Sequence, residues 1–149
     1  MASAQFSVTS GSVATSTTAK TVLAITSTAT NSPEVIGFDF STDATVTTGV
    51  FLVELVEYTT GTGTAGSTPT IQKMGSSQVA GVTTAGAAYS AEPTGPLVMA
   101  TWWILAQGTF AYLLPLGREF QVPVSKMFGI RVTAPSGTPN VRANLYFEE

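Results

Sequence analysis

The carboxylates are the residues with most scope for chemistry, because two acids facing each other are the minimum for glycoside hydrolysis. Glu54 and Glu57 stand three apart in an extended stretch and so face opposite ways, Asp39 and Asp43 flank a turn, and Glu148 and Glu149 close the chain. No spacing sets up a pair, and solvated or capping roles are expected of each. A Ser or Thr nucleophile needs a base, and with no histidine only the rarer lysine arrangement is left. The chain has no cysteine either. That double absence removes the commonest general base, the commonest metal ligand and the thiol nucleophile together. The expectation is a chain with no catalytic residue, no metal and no cofactor.

Gly61-Thr62-Gly63-Thr64-Ala65-Gly66 matches the glycine pattern of a dinucleotide-binding turn. Such a turn must open a helix whose N-terminus faces the pyrophosphate. Here Ser67-Thr68-Pro69-Thr70-Ile71 follows, and no acid lies between Glu57 and Glu92 to hold a ribose. A flexible loop between strands is the better reading. Net charge is −3 and the six basic residues, Lys20, Lys73, Arg118, Lys126, Arg131 and Arg142, are scattered, so no nucleic-acid footprint is present. Pro93 to Gly117 carries no charge and includes Leu97 to Leu105, which raises the question of a membrane span. Gln107-Gly108 in its middle and Pro115 near its end fit two buried strands joined by a tight turn better. No membrane partner is expected.

The elements that must position these residues are strands. Only 10% of residues are charged against 44% hydrophobic, and Ser and Thr make up about a quarter of the 149 residues, a composition of strands and turns. Lys20 to Thr26 and Glu34 to Phe40 are rich in branched and aromatic residues, with Asn31-Ser32-Pro33 between them. Gly49 to Tyr58 is apolar on both faces and should be covered on both. Val141, Ala143, Leu145 and Phe147 alternate with Arg142, Asn144, Tyr146 and Glu148; Phe128, Ile130 and Val132 alternate likewise, placing Arg131 outside. Phe120, Val122 and Val124 form a further set that Pro123 confines to an edge or strand end. No helical periodicity survives the Gly, Pro and β-branched interruptions. The expected fold is all-β, a single-domain antiparallel β-sandwich, jelly-roll-like, over residues 20–149.

Residues 1–19 are a Ser/Thr-rich segment anchored by Phe6 and Val8. It reads either as a first strand or as an arm lying across a neighbouring subunit. Met1 to Phe6 has no basic stretch followed by an apolar core, so synthesis in a cytoplasm is expected. Trp102 and Trp103 are adjacent and must point to opposite faces of a strand. If one is core, the other lines the second sheet, lies under a loop, or anchors an interface.

The order of these pieces carries a resemblance. Strands run to Glu57-Tyr58, a Gly/Thr loop spans Thr59 to Pro69, and a Thr/Ala/Gly segment leads into Tyr89-Ser90-Ala91-Glu92-Pro93-Thr94. The strand Phe110-Ala111-Tyr112, the turn Pro115-Leu116-Gly117 and the ending Asn144 to Glu149 follow. This layout, covering most of residues 20–149, resembles the capsid decoration (cement) proteins, small β-rich virion proteins encoded beside the major capsid protein in tailed bacteriophages. The resemblance implies a non-enzymatic structural protein, assembled in the host cytoplasm and located on the capsid surface of the virion. Its partners would be the major capsid protein and sister copies in a homotrimer. Phe6, Val8, Trp102, Trp103, Tyr112 and Arg131 are the expected interface residues. Another virion part, such as a tail or fibre component, and a carbohydrate-binding sandwich with a Trp as stacking platform are the alternatives.

Overall fold

A computed structural model of the chain describes residues 4–59, 61–75 and 80–149, and every regular element among them is a strand. The strands are β1 (Gln5–Thr9), β2 (Val13–Ala14), β3 (Lys20–Thr26), β4 (Glu34–Thr42), β5 (Val50–Thr59), β6 (Gln72–Lys73), β7 (Thr84–Ala87), β8 (Leu97–Leu105), β9 (Thr109–Leu113), β10 (Phe120–Gln121), β11 (Lys126–Thr133) and β12 (Asn140–Glu148). One sheet runs β10-β4-β12-β1-β6, with β9 also on β4 and β2 also on β12; the other runs β7-β3-β11-β5-β8. All pairings are antiparallel.

The long pairings are nested. β1 joins β12, β3 joins β11, β4 joins β9, and β5 joins β8. The chain is thus one long hairpin whose arms are rolled into two sheets, β1-β12-β4-β9 facing β3-β11-β5-β8, which is the jelly-roll arrangement of a β-sandwich.

Alternation along each strand fills the space between the sheets. Val141, Ala143, Leu145 and Phe147 of β12 meet Phe128, Ile130 and Val132 of β11, with Phe38 and Phe40 of β4 and Phe51, Val53 and Leu55 of β5. All are essentially buried, and each large side chain so placed contributes about 1.5–3 kcal/mol relative to exposure. β1 pairs with β12 of its own chain, Phe6 stacks on Phe147 at 5.4 Å, and Phe6 and Val8 are core residues.

The later half of β5 is covered on both sides, whereas Val50 at its start is exposed on the outer face. Its outer residues Val56 and Tyr58 form a second cluster with Ala24, Met127 and Tyr89. The cover is made by Gly61 to Ser67 together with Ala88 to Pro93, and it is not loose. Thr64 N–H donates to Ala91 C=O at 2.9 Å, Ser90 N–H to Thr64 C=O at 2.8 Å, and Ser67 and Ala87 exchange bonds at 3.1 and 2.9 Å. Ala88, at φ 54°, turns the chain so that Tyr89 packs down on the sheet. Such a conformation is uncommon for a residue with a Cβ. Backbone bonds from Ala88 to Val22 (3.0 Å) and from Tyr89 to Thr21 (3.1 Å) hold it.

The expected buried hairpin from Pro93 to Gly117 is corrected in two respects. The turn does fall at Ala106 to Gly108, closed by Gly108 N–H on Leu105 C=O at 2.8 Å. Yet β8 pairs with β5 and β9 with β4, so the two strands belong to different sheets. Nor is β8 buried, because it is the last strand of its sheet. The β-edge expected around Pro123 is β10, with Val122 buried but Val124 in water.

Candidate functional site

The register of β8 decides what its side chains can do. Ile104 lies opposite Phe51 and Trp102 opposite Val53, both facing the core, so Trp103 and Leu105 point outward opposite Leu52 and Val50. Trp102 closes the sandwich at its open side. Its ring lies 5.2 Å from Phe38, 5.4 Å from Phe110 and 5.5 Å from Tyr112, a four-ring cluster with tilted geometries. Trp103 is 70% exposed and Leu105 71%.

The outer face of this sheet therefore has two halves. One half is roofed by Gly61 to Ser67 and Ala88 to Pro93, and beneath that roof lies a chain of polar contacts. Glu92 accepts from Thr21 N–H at 2.7 Å and from Thr21 Oγ1 at 2.5 Å. Threonine has one hydroxyl proton, so the Tyr58 hydroxyl, 2.7 Å from Thr21 Oγ1, must be the donor to it. Burial pushes the Tyr58 hydroxyl up to about 12. Where the roof ends, Arg131 Nε donates to Glu54 Oε2 at 2.8 Å, and this bond raises the guanidinium further above its usual range. Beyond that pair the face is bare: Val50, Leu52, Trp103 and Leu105, with Val98 and Met99 nearer the start of β8.

A second bare apolar area lies past the turn. Phe110 and Tyr112 face inward, so Leu113, 75% exposed, lies on the outside of the other sheet over Gly37. Leu116 in the following turn is 96% exposed. These residues all fall within the uncharged stretch Pro93 to Gly117.

The acids are held in structural bonds. Glu54 is paired with Arg131, Glu57 lies 3.7 Å from Lys126 Nζ, and Asp39 accepts from Asn144 at 2.6 Å and Tyr146 at 2.7 Å. Asp43 accepts from Thr45 and Asn140, which brings its carboxyl down to about 2. Glu34 and Glu148 are cross-strand partners and, with Glu149, line an open depression of about 170 Å³ whose remaining walls are Asn31 and Ser32. Gln5 donates to Glu148, while Asn31 and Thr83 donate to Glu149. The walls of this depression are polar and it opens to water. Among the described residues no group of three His, Cys, Asp or Glu is placed to hold a metal ion, and no helix is long and apolar enough to cross a membrane.

No family model, curated protein or solved structure matches this chain. What the molecule can do must be read from its own surface.

Of the residues expected at an interface, Trp103 lies in the bare face and Tyr112 at the rim of the ring cluster, while Trp102 belongs mainly to that cluster. Phe6 and Val8 lie in the core and Arg131 is engaged with Glu54. Leu105, Val50, Leu113 and Leu116 were not among the expected residues. The alternation Trp103-x-Leu105 on an uncharged strand is the signal that points to the first of them.

Proposed function

We propose that this chain is a non-enzymatic structural component of a virion, a decoration protein that binds the outside of a phage capsid and braces the shell. One observation carries the reading: Pro93 to Gly117 is uncharged and leaves Trp103, Leu105, Leu113 and Leu116 in water on two different faces. Solitary soluble proteins rarely leave such areas uncovered. A subunit of an assembly covers one with sister copies and the other with the shell. The β-sandwich and the layout that resembles cement proteins are compatible with this role. Quantitative mass spectrometry of the virions of the encoding phage tests it. Hundreds of copies per particle are expected; a handful would indicate a tail or fibre part, and absence would overturn the virion reading.

The exposed face of Trp103 favours carbohydrate binding as a second reading, since an indole in water is a stacking platform for a sugar ring. Its neighbours Val50, Leu52 and Leu105 are apolar and only Thr101 beside it on the strand offers a hydroxyl to a sugar, which weighs against it. Glycan-array binding lost in Trp103→Ala would establish this reading instead.

A further inference from the structure

The bare end of the second sheet has a backbone as well as a surface. Ala106 N–H donates to Gly49 C=O at 3.2 Å, which fixes the parity of the whole strand. Ala106, Ile104, Trp102 and Ala100 direct their backbone groups toward β5, so Thr101, Trp103 and Leu105 direct theirs away from it, to the open edge, where the Leu105 C=O already accepts from Gly108 N–H and the other five groups face outward. The side chains of the same three residues point to the outer face.

Edges are where sheets recruit other strands, and most of the edges here are blunted by length. β6 and β10 have two residues, β7 has four and β9 five; β8 has nine. It carries neither the charge nor the proline that commonly protects a long edge. Its one irregularity is the register shift that leaves Met99 out of step between Val98 and Ala100. Ala100 to Leu105 is the straight length between that bulge and the turn.

We infer that this edge is the site at which a second copy of the chain adds, β8 to β8, antiparallel about a two-fold axis at Trp103. The inference rests on the assembly reading above, taking the same bare face and naming its occupant. Parity permits this register: Trp103 would form a hydrogen-bonded pair with Trp103 of the second copy, and Thr101 with its Leu105. A ten-stranded continuous sheet results.

Charge favours a second copy. Two chains of net charge −3 repel in general, but the paired segments hold no charge, and the nearest acid, Glu54, is already neutralised by Arg131. Trp103, Leu105, Val50, Val98 and Met99 leave on the order of 500 Å² of apolar surface per copy, at the upper end of what a solitary protein exposes.

The chain has no cysteine, so a single introduced one reports its neighbours. Thr101→Cys and Leu105→Cys variants, mixed and oxidised, are expected to form a disulfide-linked heterodimer, because hydrogen-bonded antiparallel partners stand about 5.5 Å apart at Cα, within disulfide reach. Each variant alone lacks a facing thiol in this register. Linking in the mixture should exceed that of a Leu116→Cys control by about ten-fold or more, since paired thiols meet at millimolar effective concentration. Sedimentation of the unmodified chain at about 50 µM is expected to give a dimer. A monomer or a closed trimer there overturns the two-fold pairing, as does a mixture that links no faster than the control. A trimer would leave the virion reading standing. Conversely, a β8-linked dimer from a chain absent from virions would support the pairing while overturning the virion reading.

Discussion

Two adjacent tryptophans show how far one residue step changes a side chain's work. Trp102 fills the mouth of the sandwich between Phe38, Phe110 and Tyr112, whereas Trp103 touches water. Trp102→Ala should therefore cost about 3–5 kcal/mol in urea unfolding, and Trp103→Ala, in dilute solution, no more than about 0.5 kcal/mol. Equal losses would mean that the faces are misassigned. Tyr58 makes a different prediction, through its proton. Its hydroxyl holds on until about pH 12 in the fold but only until about 10 when unfolded, so the native state keeps a proton the unfolded chain has lost. Its contribution is complete below pH 10 and disappears as pH climbs from 10 toward 12, about 2–3 kcal/mol in all. Tyr89 and Tyr146 are raised too and add in the same direction. Tyr58→Phe should give a visibly flatter stability curve above pH 10 in chemical denaturation; an unchanged slope would contradict the burial of the hydroxyl. Asp43 lies at the other end of the scale. Its carboxyl should titrate near pH 2 by NMR, and Asn140→Ala should move that midpoint upward.

At the scale of elements, the roof over the second sheet depends on small residues beneath it. A Cβ on Gly129 would lie 2.6 Å from Leu23 O and 2.8 Å from Ala24 Cβ, and the first of these is backbone that cannot swing aside. Gly129→Ala is expected to destabilise by about 1–3 kcal/mol, read from the shift in urea midpoint, because the central pair β3–β11 must part to admit it. A neutral result would mean the sheets are less closely drawn than described. The strands themselves were legible in the sequence: Lys20–Thr26 is bounded as its branched residues and flanking turn residues indicate, and the alternation from Val141 to Phe147 assigns its faces correctly. The partners of β8 and β9 were not. Local pattern reports which face of a strand is apolar, but whether two consecutive strands pair or part over the sandwich edge is decided by contacts with β5 and β4, far away in sequence. The roof was read as a flexible loop for the same reason, since its order comes from bridges to Ala87 and Ala91 that no local signal encodes. The opposite facing of Trp102 and Trp103 could be read directly; which one meets water required the register with Val53 and Leu52.

For the whole molecule, the scarcity of charge sets how association should respond to its surroundings. Contacts made by Trp103, Leu105 and Leu113 owe nothing to ion pairs, so raising NaCl to about 1 M, where screening acts within about 3 Å, should leave self-association intact or strengthen it. Dissociation in salt, measured by sedimentation, would contradict an apolar contact. The nested pairing has its own consequence, in time. Each inner pair, once closed, shortens the loop that the next must close, so the chain zips from β5–β8 outward, and β1 can dock beside β12 only when the rest of the roll is in place. Folding is accordingly expected in the millisecond-to-second range of non-local β topologies. Kinetic φ-values should be high at Val53 and Ile104 and low at Phe6 and Phe147. β1 leaves the ribosome well before β12 and yet is the last of the two to be fixed in place, and until it docks the newly made chain carries an open edge along β12.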